Sequence, residues 1–165
     1  NVSEQIMAIQ FVVENGTGLT NATSYVSVAE YKQYYENRGI DYTATAEATI
    51  QAKLNVATEY IDNNYNFIGN ISNDEQALSF PRIGLSKNGN AIDSDVIPQD
   101  VKDAVCYIAD KVKNGNIEQV DDGVKSESFG PVSKTYSETG QRKFPILNKY
   151  LKPYIMAGAP LVRLA

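Results

Sequence analysis

Carboxylates are the only catalytic raw material that this chain holds in quantity. It has 20 Asp and Glu, and two pairs stand close in sequence, Asp93/Asp95 and Asp121/Asp122. General acid–base or two-metal chemistry needs several such groups converging on one point, and neither spacing imposes that. Both pairs adjoin Gly or Ser, where an acid ordinarily solvates a turn. Histidine is absent, which removes Ser-His-Asp and Cys-His nucleophile pairs, His-ligated zinc and an imidazole pH switch. The single cysteine, Cys106, permits neither an intrachain disulfide nor a thiolate metal cage. It stands in an apolar helical stripe, where it serves as a small buried hydrophobe. No G-x-x-x-x-G-K-S/T run occurs, Gly16-Thr17-Gly18 is too short for a nucleotide fingerprint, and Asp93 to Ile97 lacks the oxygen layout of a calcium loop. The residues point away from an enzyme, and no cofactor or metal is expected.

Binding chemistry has more to work with. The chain contains 11 Tyr, and aromatic side chains stack on unpaired bases when a cationic groove follows the phosphates. Most of these tyrosines fall in an acidic stretch and on core-facing stripes. Residues 1–140 carry 10 Lys or Arg against 20 Asp or Glu, whereas residues 141–165 carry Arg142, Lys143, Lys149, Lys152 and Arg163 with no acid. Such a split marks either an interaction tail or a solvated basic helix, and both readings stay open.

The elements that must position these groups follow from periodicity and end signals. Phe11-Val12-Val13-Glu14 is a short extended run closed by Asn15-Gly16 and Gly18. Ser27-Val28-Ala29-Glu30 is a capping box. It predicts a helix to about Arg38, stopped by Gly39, with Val28, Tyr31, Tyr34 and Tyr35 on one face. A second helix is predicted from about Thr45 to Asn64, on the stripe Ile50, Leu54, Ala57 and Ile61. Residues 71–97 read mostly as loop. A third helix starts at Pro98, follows Val101, Ala104, Val105, Ile108, Ala109 and Val112, and ends at Gly115. Val124 to Ser137 reads as a β-hairpin around Gly130-Pro131. A last helix opens at Pro145 on the stripe Ile146, Leu147, Tyr150, Leu151, Tyr154 and Ile155, before Gly158.

The expected fold class is therefore mainly α: a four-helix bundle-like domain with one inserted β-hairpin and extended terminal arms. Its expected parts are an N-terminal arm over 1–26, a helical domain over 27–158 with the hairpin at about 124–137, and a tail over 159–165. A length of 165 residues suits one domain. No run approaches the roughly 18 apolar residues of a membrane span, so no membrane partner is expected. Ile6 to Val13 does not read as a secretory signal, and the Asn-x-Ser/Thr triplets at Asn1, Asn15, Asn21 and Asn70 read as by-products of an Asn-rich chain.

Several stretches together resemble one family. Phe11 to Gly18, running on through Asn21-Ala22-Thr23-Ser24-Tyr25-Val26-Ser27, is similar to the opening of small tailed-phage proteins labelled DnaT-like. The similarity continues at Ala57-Thr58-Glu59-Tyr60-Ile61-Asp62 and at Gln76-Ala77-Leu78-Ser79-Phe80-Pro81-Arg82. Further on lie Ile97-Pro98-x-x-Val101-Lys102-x-Ala104, Val124-Lys125-Ser126-Glu127, Gly130-Pro131-Val132 and Phe144-Pro145. The resemblance covers about residues 11–155.

Two functions follow from it. Phage proteins of this kind look like head–tail connectors, also called adaptor or neck proteins, arranged as a ring, usually dodecameric, beneath the portal. The DnaT-like label instead implies a single-stranded DNA-binding, primosome-like replication protein. The charge split favours the connector, because an acidic body and a basic end can meet head to tail and close a ring. An acidic channel would also let packaged DNA slide. The expected partners are then copies of the chain itself, the portal protein, a tail or second neck protein, and passing double-stranded DNA. The expected location is the virion neck, reached from the host cytoplasm during assembly. Candidate interface residues are Phe80, Arg82, Lys125, Lys134, Arg142, Lys143, Lys149, Lys152 and Arg163. Phe80-Pro81-Arg82 either docks on a neighbour or pins its own loop to its own helices, and Lys149 and Lys152 either face a partner or form the solvated side of the last helix.

Overall fold

The computed structural model describes residues 8–117 and 144–156. The third helix, α3 (Gln99–Asp110), lies at its centre. Val101, Ala104, Val105, Ile108 and Ala109 are all buried, and the helix packs most extensively on α2 (Glu47–Asn64) and next on α4 (Pro145–Leu151). From α2 the stripe Ile50, Leu54, Ala57 and Ile61 enters the same core. Each fully buried Leu or Ile contributes roughly 1.5–3 kcal/mol, so these two stripes supply much of the folding free energy. The first helix, α1 (Val28–Glu36), adds Tyr31, Tyr34 and Tyr35. Its capping box forms as the sequence implies: Glu30 N donates to Ser27 Oγ at 3.2 Å, and Ser27 N donates to Glu30 Oε2 at 2.7 Å. At the other end, Ile40 N donates to Tyr35 O at 3.0 Å across Gly39, which stands at φ +76°.

The mainly α expectation is corrected by the architecture between the helices. Among the described residues helix content is 37%, and three two-stranded antiparallel sheets accompany the four helices. β1 (Asn70–Ile71) pairs with β2 (Arg82–Ile83), β3 (Ser86–Lys87) with β4 (Asn90–Ala91), and β5 (Val112–Lys113) with β6 (Asn116–Ile117). Residues 71–97 are thus not plain loop. The third helix also ends at Asp110, short of the expected Gly115, because Val112 turns into a strand and is buried there. Its helical spacing from Val101 is coincidental. The last two ladders are each closed by Asn-Gly, with Asn88 and Gly89 at φ 54° and 80° and Asn114 and Gly115 at φ 50° and 74°. Two consecutive positive φ values build the tight hairpin turn that suits strand twist. The hairpin expected at 124–137 and the tail at 159–165 lie outside the described residues.

Two further segments close the core. In the N-terminal stretch Tyr25 and Val26 are fully buried, and Val13 bridges Ser24, so residues 11–26 pack against the helices and do not extend away as an arm. The last helix stops at Leu151, because Pro153 has no amide to continue it. The chain then pairs with the segment after α2: Ile68 N donates to Tyr154 O at 2.8 Å, and Met156 N donates to Asn66 O at 3.1 Å.

Candidate nucleic-acid interface

Of the basic residues beyond 140, the structure describes two, Lys149 and Lys152. They are carried by α4, whose seating depends on aromatic contacts. Phe144 is buried before the first turn, with its ring edge-on to Tyr60 at 5.9 Å and to Tyr107 at 6.3 Å. Leu147 and Leu151 are fully buried one turn apart. With that face committed to α3, Lys149 and Lys152 are exposed, and Ile146 is 38% exposed on the same outer side. The solvated-helix geometry of the two lysines is therefore present, and it leaves both ammonium groups open to an anionic partner.

The last helix also meets α1 through one tyrosine pair. Tyr150 is half-buried, and its hydroxyl lies 3.5 Å from that of Tyr34. Burial first, and then the Tyr150 hydroxyl, push the Tyr34 phenol well above its ordinary pKa, so it stays neutral. Over the Tyr34 ring lies Arg38, its guanidinium carbon 3.4 Å from the centroid and Nη1 donating to Tyr34 O at 2.8 Å. Arg38 is exposed. Arg38, Tyr34 and Tyr150 thus make one cationic and aromatic cluster where α1 meets α4.

Phe80 and Arg82 sit elsewhere, and the fold uses both internally. Phe80 is fully buried, with its ring 4.6 Å from that of Phe67 and 5.8 Å from that of Tyr25. Arg82 spends its fork on backbone carbonyls. Nε donates to Ile68 O at 2.8 Å, Nη1 to Ser79 O at 3.0 Å, and Nη2 to Gly69 O at 2.8 Å and Phe67 O at 3.3 Å. Beneath this clamp Asp62 accepts from Tyr25 Oη at 2.6 Å and from Ser79 N at 2.9 Å, while Phe80 N donates to Tyr25 Oη at 3.2 Å. Burial raises the Asp62 pKa, against the pull of Tyr25 and Ser79. Of the two roles weighed for Phe80-Pro81-Arg82, this geometry is the pin. Lys125, Lys134, Arg142, Lys143 and Arg163 lie outside the described residues.

The tyrosines do not form an open stacking strip. Tyr25, Tyr31, Tyr34, Tyr35 and Tyr154 are buried, and Tyr42, Tyr60, Tyr65, Tyr107 and Tyr150 are half-buried. Several hydroxyls are held in place: Tyr35 Oη donates to Cys106 O at 2.9 Å, and Tyr154 Oη to Asp100 Oδ2 at 2.7 Å. Cys106 is 2% exposed, and burial pushes its thiol pKa up. Asp93 and Asp95 are exposed. Among the described residues no group of three or more His, Cys, Asp or Glu is placed to hold a metal ion, and no helix is long and apolar enough to cross a membrane.

Sequence reading missed Arg38, which looked like the end of a helix, and Glu14, which looked like the end of a strand. Glu14 is 2% exposed, and its carboxylate accepts from the amides of Gly16 and Gly18 at 2.9 Å and of Leu19 at 2.8 Å. The signal was available in Glu-Asn-Gly-Thr-Gly, an acid followed by two glycines able to turn successive amides onto it. A Cβ on Gly16 would fall 1.9 Å from Asp95 O, so the loop also needs that residue bare. For Arg38 no comparable signal existed.

The buried Glu14 loop, the Phe80–Arg82 pin and the α4 anchor fall in the stretches that carry the family resemblance. A family described as "Putative DnaT-like ssDNA binding protein" matches residues 9–164. The chain belongs to this DnaT-like family. The matched span takes in both the helical core and the basic residues from Arg142 to Arg163. No curated protein and no solved structure matches the chain.

Proposed function

We propose that this DnaT-like protein binds single-stranded DNA without transforming it, as a replication-class, primosome-like factor, and that the cations between Arg142 and Arg163 are its phosphate contacts. The observation that carries this reading is the family match over nearly the whole chain. Five cations with no acid among residues 141–165 are the part suited to displacing counterions from a strand. The exposed ammonium groups of Lys149 and Lys152 agree with that use. The buried tyrosines move the contact away from an aromatic groove and onto this basic end. Fluorescence anisotropy of a labelled oligonucleotide over a salt series tests the reading. Binding should weaken with salt at a slope of about −0.7 per phosphate neutralised, and Lys149→Glu with Lys152→Glu should flatten the slope by about 1.4. Failure to bind at roughly 50 mM salt would rule it out.

A second reading is a non-enzymatic head–tail connector in a phage virion, with copies of the chain, a portal protein, and a tail or second neck protein as neighbours around passing double-stranded DNA. The acidic balance of residues 1–140 favours it, because that surface repels a phosphate backbone and suits a channel wall or a seam with the basic end of the next copy. Native mass measurement and electron microscopy with the cognate portal test it. A chain that stays monomeric and never joins the neck counts against it.

A further inference from the structure

Between α1 and the first turns of α3 runs an open cleft of about 310 Å³. Val26 and Cys106, both buried, line its apolar base. Three amide side chains, Gln33, Asn37 and Gln99, line it together with Arg38 and Lys102. Apolar atoms below and amides at the sides suit a planar heterocycle that has donors and acceptors along its edge, since each amide offers both functions. Gln33 Nε2 donates to Asn37 Oδ1 at 3.0 Å, which leaves the Gln33 oxygen as an acceptor and the Asn37 nitrogen as a donor. Of the acids lining the cleft, Glu30 pairs with Lys102 at 2.8 Å, and Asp103 accepts from Gln99 Nε2 at 2.9 Å. With Asp103 and Arg38 the lining is formally neutral, so the cleft suits the uncharged base and not a phosphate.

Arg38 is also pre-set for stacking. Tyr34 backs its guanidinium at 3.4 Å and its Nη1 is tied to Tyr34 O, while the residue itself is exposed. An immobilised guanidinium plane with one face open is a platform on which an unpaired base stacks. Tyr34, which lines the cleft, also meets α4 through the Tyr150 hydroxyl at 3.5 Å. We propose that this cleft receives one unpaired nucleobase of a single strand, stacked on Arg38, with its edge met by Gln33, Asn37 and Gln99. The inference rests on the single-stranded DNA reading, and it turns a general phosphate contact into a specific base site.

The test compares an oligothymidylate with the same strand made abasic, using the full chain. Arg38→Ala should weaken binding of the base-bearing strand by about 5- to 150-fold, the range for one lost stacking contact, and should leave the abasic strand within about twofold. Arg38→Lys, which keeps the charge and loses the plane, should behave like Arg38→Ala on the base-bearing strand. Gln99→Ala, exposed at the start of α3, probes the edge contact without touching the Arg38–Tyr34 stack and should weaken only the base-bearing strand. If wild-type protein binds the strand and all three variants match it, the base site is wrong while the binding reading stands. Equal losses on both strands would likewise overturn it, because Arg38 would then contact phosphate alone. If the wild type binds neither strand, the binding reading itself falls and takes this site with it.

Discussion

Arg82→Ala should cost far more stability than the loss of a surface cation. The guanidinium makes three contacts of 2.8 to 3.0 Å and one of 3.3 Å, all to backbone carbonyls. A hydrogen bond from a charged donor contributes about 1.5–3 kcal/mol, so the three short ones amount to several kcal/mol before relaxation. The side chain is only half-buried, and water can rehydrate some of the freed carbonyls, which lowers the expected loss to about 3–4 kcal/mol. With a urea dependence of about 2 kcal/mol per molar, the unfolding midpoint followed by far-UV circular dichroism should fall by about 1.5–2 M. Arg82→Lys should recover less than half of that, because an ammonium cannot reproduce the fork. A midpoint for Arg82→Ala within about 0.3 M of wild type, on the same scale, would show that the carbonyls are satisfied without the clamp. Arg82 would then be free for a partner, and the pin would be the wrong account.

Four other outcomes follow from the same structure. Glu14→Ala strips three amides of their acceptor and should destabilise by about 2–4 kcal/mol, with Glu14→Gln recovering part; a thermal melt unchanged in both would refute the carboxylate's role. Gly16→Ala should be much worse than Gly89→Ala in urea titrations, since its Cβ would meet Asp95 O at 1.9 Å whereas that of Gly89 meets nothing within 4 Å, and equal effects would contradict this. Cys106 should resist alkylation in the native state and react only on unfolding, because burial removes access and raises its pKa; equal rates with and without denaturant would be incompatible with the core placement. The raised Asp62 pKa means that the folded state holds this proton more tightly than the unfolded chain. Its contribution to stability must therefore fall as pH rises from the ordinary carboxylate range of about 3.9 through the raised value. Asp62→Asn should remove that fall from a plot of urea midpoint against pH, and an unchanged slope would exclude Asp62 as its source.

Much of the helical framework could be read from residue order alone. Ser27 and Glu30 lie three residues apart and bond each other's backbone, and Ile50, Leu54, Ala57 and Ile61 mark one face of a helix whatever else surrounds it. These are local effects, settled within one or two turns by backbone geometry and side-chain spacing. Family membership was legible for a related reason, since short runs such as Glu14-Asn15-Gly16-Thr17-Gly18 and Phe80-Pro81-Arg82 are read directly as strings.

What those strings do was decided only by the tertiary structure. The two-residue ladders at 70–71/82–83, 86–87/90–91 and 112–113/116–117 are too short to show an alternation, so a mixed fold read as mainly helical; the repeated Lys-Asn-Gly-Asn at 87–90 and 113–116 was the one local sign of two of them. Arg82 could equally have reached for a neighbour until Ile68, Gly69 and Ser79 turned their carbonyls toward it. Arg38 became a platform only because the Tyr34 ring lies under it, next to a cleft whose other wall comes from more than sixty residues later in the chain. Period and capping act between residues that are neighbours in sequence, whereas clamps, clefts and buried charges depend on which distant backbone groups the packed core brings within 3 Å, and no short-range pattern records that.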